Sequence, residues 1–184
     1  MRKFTAVFLC VLLMLCGCAK NNEMSQMQKI QDRLNNLESY VCDATLKRIS
    51  NKGENIYEIR QYYKISGQYK LEMLAPEAIK GNYTVFDGEK IFQYNPRIDG
   101  KVIMDVPQSK QRDELFLGSF IKNYFNSENV SIAVDNMDEG MTTVLEAVIP
   151  EGGDYLVTEK LWINNETLDP VQLIIYDKNN NERL

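Results

Sequence analysis

The stretch YTVFDGEKIFQYNP, Tyr83–Pro96, decides the fold. Two short runs rich in aromatic and β-branched residues flank Asp87-Gly88. Glycine takes positive φ without steric cost, and an aspartate side chain bonds backbone amides just after it, so the pair predicts a tight hairpin turn. Working outward, the turn PRIDG (96–100) and the run KVIMDV (101–106) add a third strand. Upstream, Tyr69, Leu71 and Met73 alternate with Lys70 and Glu72, and Ser66-Gly67 turns back into IYEIRQYYKI (56–65). Beyond the turn NKGEN, Tyr40, Cys42, Ala44 and Leu46 face one way while Asp43, Thr45 and Lys47 face the other. This pattern predicts an antiparallel meander with one wet face.

The rest of the chain extends it. NVSIAVD, MTTVLEAVI, LVTEKLWIN and PVQLIIYD read as further strands, giving about ten in all. A helix is expected near 114–124, with Leu115, Phe116, Ile121 and Phe125 as its buried face. Met27, Ile30, Leu34, Leu37 and Val41 recur at three- and four-residue steps, so a second, amphipathic helix is expected over 27–39, packed on the sheet. No linker is rich enough in Gly, Pro or Ser to split the domain.

The amino terminus carries a different signal. Three of the four cysteines, Cys10, Cys16 and Cys18, fall in MRKFTAVFLCVLLMLCGC. Arg2 and Lys3 precede an apolar run from Phe4 to Cys16. That run is shorter than the ~20 residues of a membrane-spanning helix and suits a secretory signal peptide. Leu15-Cys16-Gly17-Cys18 resembles the bacterial lipobox, in which the last cysteine is acylated and the peptide is cut just before it. The expected division is a signal peptide at 1–17, a tether at 18–26 with lipid attached at Cys18, and one domain at 27–184. Cys42 would then be the one remaining thiol, on the apolar face of its strand, and is read as an inert core cysteine.

Composition excludes much of chemistry. The chain has no histidine, which removes Ser-His-Asp and Cys-His machinery and nearly all catalytic zinc sites. Carboxylate-only glycan hydrolysis stays formally open. The net charge of −5 becomes more negative once Arg2 and Lys3 leave with the signal, which argues against nucleic-acid binding and against electrostatic adhesion to anionic lipid. Asp135, Asp138 and Glu139 lack the alternating ligands of a calcium loop and read as a hairpin turn. The sequons at Asn82 and Asn129 carry little meaning in a bacterial lipoprotein. Tyr62, Tyr63, Tyr69, Tyr83, Phe86, Phe92, Tyr94 and Trp162 are read as core for the most part, with a lipid cavity or a partner patch as the rival readings. No catalytic residue, metal ligand or cofactor is expected, and the partner-binding residues are not legible.

The order of elements, with YTVFDGEKIFQYNP and the later LWIN…DPVQL, resembles the LolA/LolB-like lipoprotein-sorting superfamily over nearly all of 27–178. Within it the chain is most similar to the germination lipoproteins of spore-forming clostridia. The resemblance implies a mainly β (α+β) fold, a strongly curved antiparallel half-barrel covered by helices. It further implies a non-enzymatic partner of the zinc-dependent spore-cortex N-acetylmuramoyl-L-alanine amidase. That role serves muramic-δ-lactam formation, on the outer face of the membrane between forespore and mother cell. The alternative from another class is a carrier or chaperone of lipid or lipoprotein. The superfamily usually continues past DPVQLIIYD into another strand where this chain reads NNNERL, so an open sheet edge and a homodimer paired along it are expected.

Overall fold

Residues 24–184, apart from 107–112, 139 and 151, are described by a computed structural model. The first helix, α1 (Gln26–Asn35), begins in a capping box. Ser25 Oγ accepts from the Gln28 amide, while the Gln28 side chain accepts from the Ser25 amide at 2.8 Å. Ile30 and Leu34 are buried, and Met27 and Leu37 pack beside them. The expected helix over 27–39 is cut short: Asn36 bonds the Asp32 carbonyl through both its amide and its side chain, and the chain turns. Asparagine competes with the helical ladder in this way, which is why it ends helices. Val41, though in helical phase with Leu37, lies in a strand and is 63% exposed.

Ten strands follow among the described residues, as the sequence predicts. They are β1 (Ser39–Ser50), β2 (Gly53–Lys64), β3 (Tyr69–Ala75), β4 (Tyr83–Phe86), β5 (Lys90–Asn95), β6 (Gly100–Asp105), β7 (Ser131–Met137), β8 (Gly140–Val148), β9 (Thr158–Asn164) and β10 (Pro170–Tyr176). All pairings are antiparallel. The Asp87-Gly88 turn forms as read: Gly88 has φ +114°, and Asp87 Oδ1 accepts from the amides of Glu89 and Lys90.

The ladder is divided into a six-stranded sheet, β1-β2-β3-β4-β5-β6, and a four-stranded one, β10-β9-β8-β7. Their junction uses the segment in which the sequence suggested an open edge. Residues 182–184 fold back along β10: the Arg183 amide donates to the Ile175 carbonyl, and the Ile175 amide donates to Leu184. On its other side the Arg183 carbonyl accepts from Ile49 of β1 at 2.9 Å. The end of the β10 edge, at Ile175 and Tyr176, is therefore occupied by the chain itself, which takes those backbone groups away from the expected homodimer pairing. The result is a curved half-barrel, not closed, with β6 and β7 as its two rims.

The second helix, α2 (Leu117–Asn126), starts later than expected and turns a different face inward. Phe120, Ile121 and Tyr124 are buried, while Phe125 is 43% exposed. Phe116 is buried at the N-cap, just ahead of the helix. The core joins Ile30 and Leu34 of α1 with these α2 residues and with Leu145, Ala147, Leu161 and Ile163 of β8 and β9. Each of the buried Leu, Ile and Phe side chains contributes roughly 1.5–3 kcal/mol through burial.

Candidate interaction surface

Strand register divides the aromatic residues into two sets. Tyr63, Tyr69 and Phe86 stand in one cross-strand line on the inner face. Phe116 stacks on Tyr63 with centroids 5.1 Å apart and on Tyr69 at 4.6 Å. Tyr40 caps α2, its hydroxyl accepting from the Leu117 amide at 3.0 Å and donating to Gln61 Oε1 at 2.9 Å. Gln61 returns to the same turn by donating to the Leu115 carbonyl. Burial pushes the Tyr40 phenol well up and that of Tyr63 to about 12, so both are neutral donors and acceptors at any physiological pH. These rings belong to the core, as the sequence predicts for most of the aromatic residues.

Tyr62, Tyr83, Phe92 and Tyr94 are not. They lie on the outer face of the six-stranded sheet, half-buried, in two adjacent rows. One row runs Val41, Tyr62, Lys70, Val85, Phe92, Ile103 across β1 to β6, and the next runs Asp43, Arg60, Glu72, Tyr83, Tyr94, Lys101. The ends of the first row are open, with Val41 63% and Ile103 62% exposed. Four of the five charges inside the rows are paired within the patch. Arg60 bonds both Asp43 oxygens, and Lys70 Nζ lies 2.8 Å from Glu72. Lys70 also sits over the rings of Tyr62 and Tyr83, and Lys101 over Tyr94. Tyr83 and Tyr94 lie 5.2 Å apart. A contiguous aromatic face on the outside of a sheet, with four of its five charges closed in ion pairs and Lys101 the fifth, has the physical character of a contact surface.

The inner face offers less to a lipid. A groove of about 440 Å³ lies over Leu71, Met73, Thr84, Gln93 and Val102, but the polar Thr84 and Gln93 interrupt its floor. Cys42 also corrects the sequence reading. It is on the expected face beside Gln61, yet exposed, because the helical core lies over β8 and β9. Partial desolvation and the neighbouring Asp43 push its thiol up, which makes it a poor nucleophile despite its exposure. Asp135 lies not in the turn but in β7, paired with Thr142, with its Oδ2 accepting from the Trp162 indole at 3.0 Å; the hairpin turn follows at Asp138. Cys18 and Glu139 lie outside the described residues. Among the described residues no group of His, Cys, Asp and Glu has the makings of a metal site, and no helix is long and apolar enough to cross a membrane.

Sequence reasoning missed Glu159. It is fully buried on the inner face of β9, opposite Ala147 and Ile175. Asn123 of α2 donates to its Oε1 at 2.7 Å, while Oε2 has no partner among the described residues. Burial pushes this carboxyl up to about 7, against the lowering contact with Asn123, and Glu114 and Asp113 add to the rise. The alternation Glu159, Leu161, Ile163 in TEKLWIN was the available signal.

The whole chain, residues 1–184, matches the model of the family described as Sporulation protein YdcC-like. The chain belongs to that family. Comparison with curated proteins finds no match. Among solved structures, the YdcC-like chain is similar to the GerS lipoprotein in a structure of the CwlD amidase from Clostridioides difficile in complex with GerS. Identity is 28%, covering 91% of this chain and 94% of that one, at a TM-score of 0.50. An uncharacterized conserved protein from Thermus thermophilus is 18% identical over 86% of this chain and 81% of that one, at a TM-score of 0.52, which supports the fold alone. A LolA superfamily protein, NE2245 from Nitrosomonas europaea, is matched at 13% identity over 86% of this chain and 75% of that one, at a TM-score of 0.43.

Proposed function

We propose that this YdcC-like protein is a membrane-tethered, non-enzymatic lipoprotein of the sporulating cell that binds a cell-wall amidase. The likeness to GerS, found in complex with the CwlD amidase and extending over nearly the full length of both chains, carries the reading. The absence of histidine from the sequence accords with it: the zinc and catalytic groups would belong to the amidase. The protein would raise amidase activity by preferring its active form, since a ligand shifts an equilibrium only by its differential affinity for the two states. Cys18 would hold the pair on the outer face of the membrane, between forespore and mother cell. Muramic-δ-lactam formation in the cortex, and cortex hydrolysis on germination, would depend on the pair.

The soluble domain from residue 24 and the purified amidase should co-elute in size-exclusion chromatography, with a gain in amidase activity or zinc retention. A deletion strain should form cortex without muramic-δ-lactam. Normal δ-lactam content together with separate elution would sink the reading. Cys18→Ala should abolish fatty-acid labelling and leave the precursor uncut; labelling equal to wild type would remove the anchor. A lipid carrier, by contrast, should yield a bound lipid on solvent extraction, analysed by mass spectrometry.

A further inference from the structure

Resting on that reading, we infer that the amidase docks on the outer face of the six-stranded sheet, centred on the row from Val41 through Tyr62 and Phe92 to Ile103. Three observations favour this occupant and this face.

The first is size. Six strands at ~4.8 Å spacing make the row about 24 Å long, and with the Tyr83–Tyr94 row beside it the aromatic and ion-paired positions together span on the order of 300 Å². That is the scale of a functional patch on a monomer. It also suits the apolar centre of an interface of about 800 Å² per partner, with a polar rim around it.

The second is composition. Tyrosine and arginine are the side chains that anchor protein interfaces, because they bring large area at low conformational cost. Here the tyrosines are held in place by Lys70 and by each other.

The third is charge. The ion pairs Asp43–Arg60 and Lys70–Glu72 close within the patch, so docking a protein over them strands none of these four charges, and Lys101 lies on the rim strand β6. A bilayer is the poorer occupant: Arg60 and Lys70 are closed in ion pairs, so the face lacks the cluster of free basic side chains that draws anionic headgroups. The core helices α1 and α2 pack on the inner side, against β8 and β9, which leaves the outer row for a partner.

The test uses the soluble domain and the purified amidase. Val41→Glu and Ile103→Glu change exposed side chains at opposite ends of the row, so the fold should tolerate them. Combined, they should weaken amidase binding by about tenfold or more, with an unchanged melting temperature. The inner-face pair Val102→Glu and Val134→Glu should bind as wild type does. A measurement on the unaltered chain stands beside the variants: Tyr62, Tyr83 and Tyr94 should be protected from tyrosine iodination when amidase is added. If wild type binds but the outer variants bind equally well and iodination is unchanged, the docking face is wrong while the proposed function stands. Loss of binding in the inner-face pair alone overturns it too. If wild type does not bind at all, both fail. Loss of flotation with anionic vesicles in the outer variants, with amidase binding intact, assigns the face to membrane and overturns the inference.

Discussion

Glu159 holds a carboxyl against the apolar underside of α2, with one oxygen bonded to Asn123 and the other unpartnered among the described residues. Its folded value of about 7 lies above the ordinary 4.5, so the folded state binds the extra proton over that interval. Stability therefore falls as pH rises from about 4.5 to about 7 and stays low above it, by up to roughly 3 kcal/mol at 1.36 kcal/mol per pH unit. Glu159→Gln, which keeps the shape and loses the charge, should flatten that slope and leave the variant at least as stable as wild type at pH 8. Urea midpoints between pH 5 and 8 check this, and a variant curve parallel to wild type would refute it. A second residue sets how closely α2 approaches the six-stranded sheet. A Cβ on Gly118 would lie 2.0 Å from a Tyr63 ring carbon, so Gly118→Ala must push α2 away or tilt the ring. The expected cost is about 1–3 kcal/mol, read as a lower urea midpoint with an unchanged slope. Neither residue was singled out from the sequence. Gly118 sits in LGSFIK with no turn signal, and its requirement comes from a ring far back in the chain, on β2.

At the scale of elements, the strands were legible and the helix limits were not. Period-two alternation and Gly-containing turns are local properties, and Tyr83–Pro96 folds as its letters dictate. Helix α1 ends four residues early because Asn36 takes the Asp32 carbonyl, while the apolar spacing that suggested continuation, Leu37 to Val41, spans a turn. Helix α2 was misphased for a related reason. Phe116 is buried as expected, but against rings of β2 and β3 from the N-cap, whereas the helical turns that follow bury Phe120 and Tyr124 against the other sheet. That helix has no capping side chain of its own; Tyr40 supplies it from β1. Tyr40→Phe should leave the Leu117 amide and Gln61 without that partner and cost about 1–3 kcal/mol. Hydrogen exchange should quicken at Leu117 and in the first turn of α2 more than in β8. Unchanged protection there would show that the turn does not depend on the hydroxyl. The candidate surface was half legible: the aromatic residues were named, but their division between faces needed the register of all six strands.

At the scale of the molecule, the two sheets are joined through the segment that reads least like structure. DKNNNERL is polar and rich in asparagine, so the sequence suggests an edge left open beside β10. The joining depends on one carboxylate. Asp177 accepts from the amides of Asn179 and Asn181 and from the Arg183 guanidinium, which turns the chain back so that 182–184 can bridge β10 and β1. Those contacts hold the Asp177 carboxyl well below its ordinary range, its backbone bond from Asn181 foremost. A depressed carboxyl stabilises above its unfolded value and loses that contribution as pH falls, so the junction should loosen only on strong acidification. Removal of residues 178–184 should do at neutral pH what acid does to the clamp. It would leave Ile49 of β1 and Ile175 of β10 with open backbone groups along two strand edges. Exposed edges pair with other chains, so the truncated domain should self-associate, whereas the full domain stays a monomer in the absence of amidase. Sedimentation velocity at several concentrations distinguishes the two. A truncated domain that remains monomeric, with the melting temperature of the full one, would show that the two sheets hold together through the helices alone.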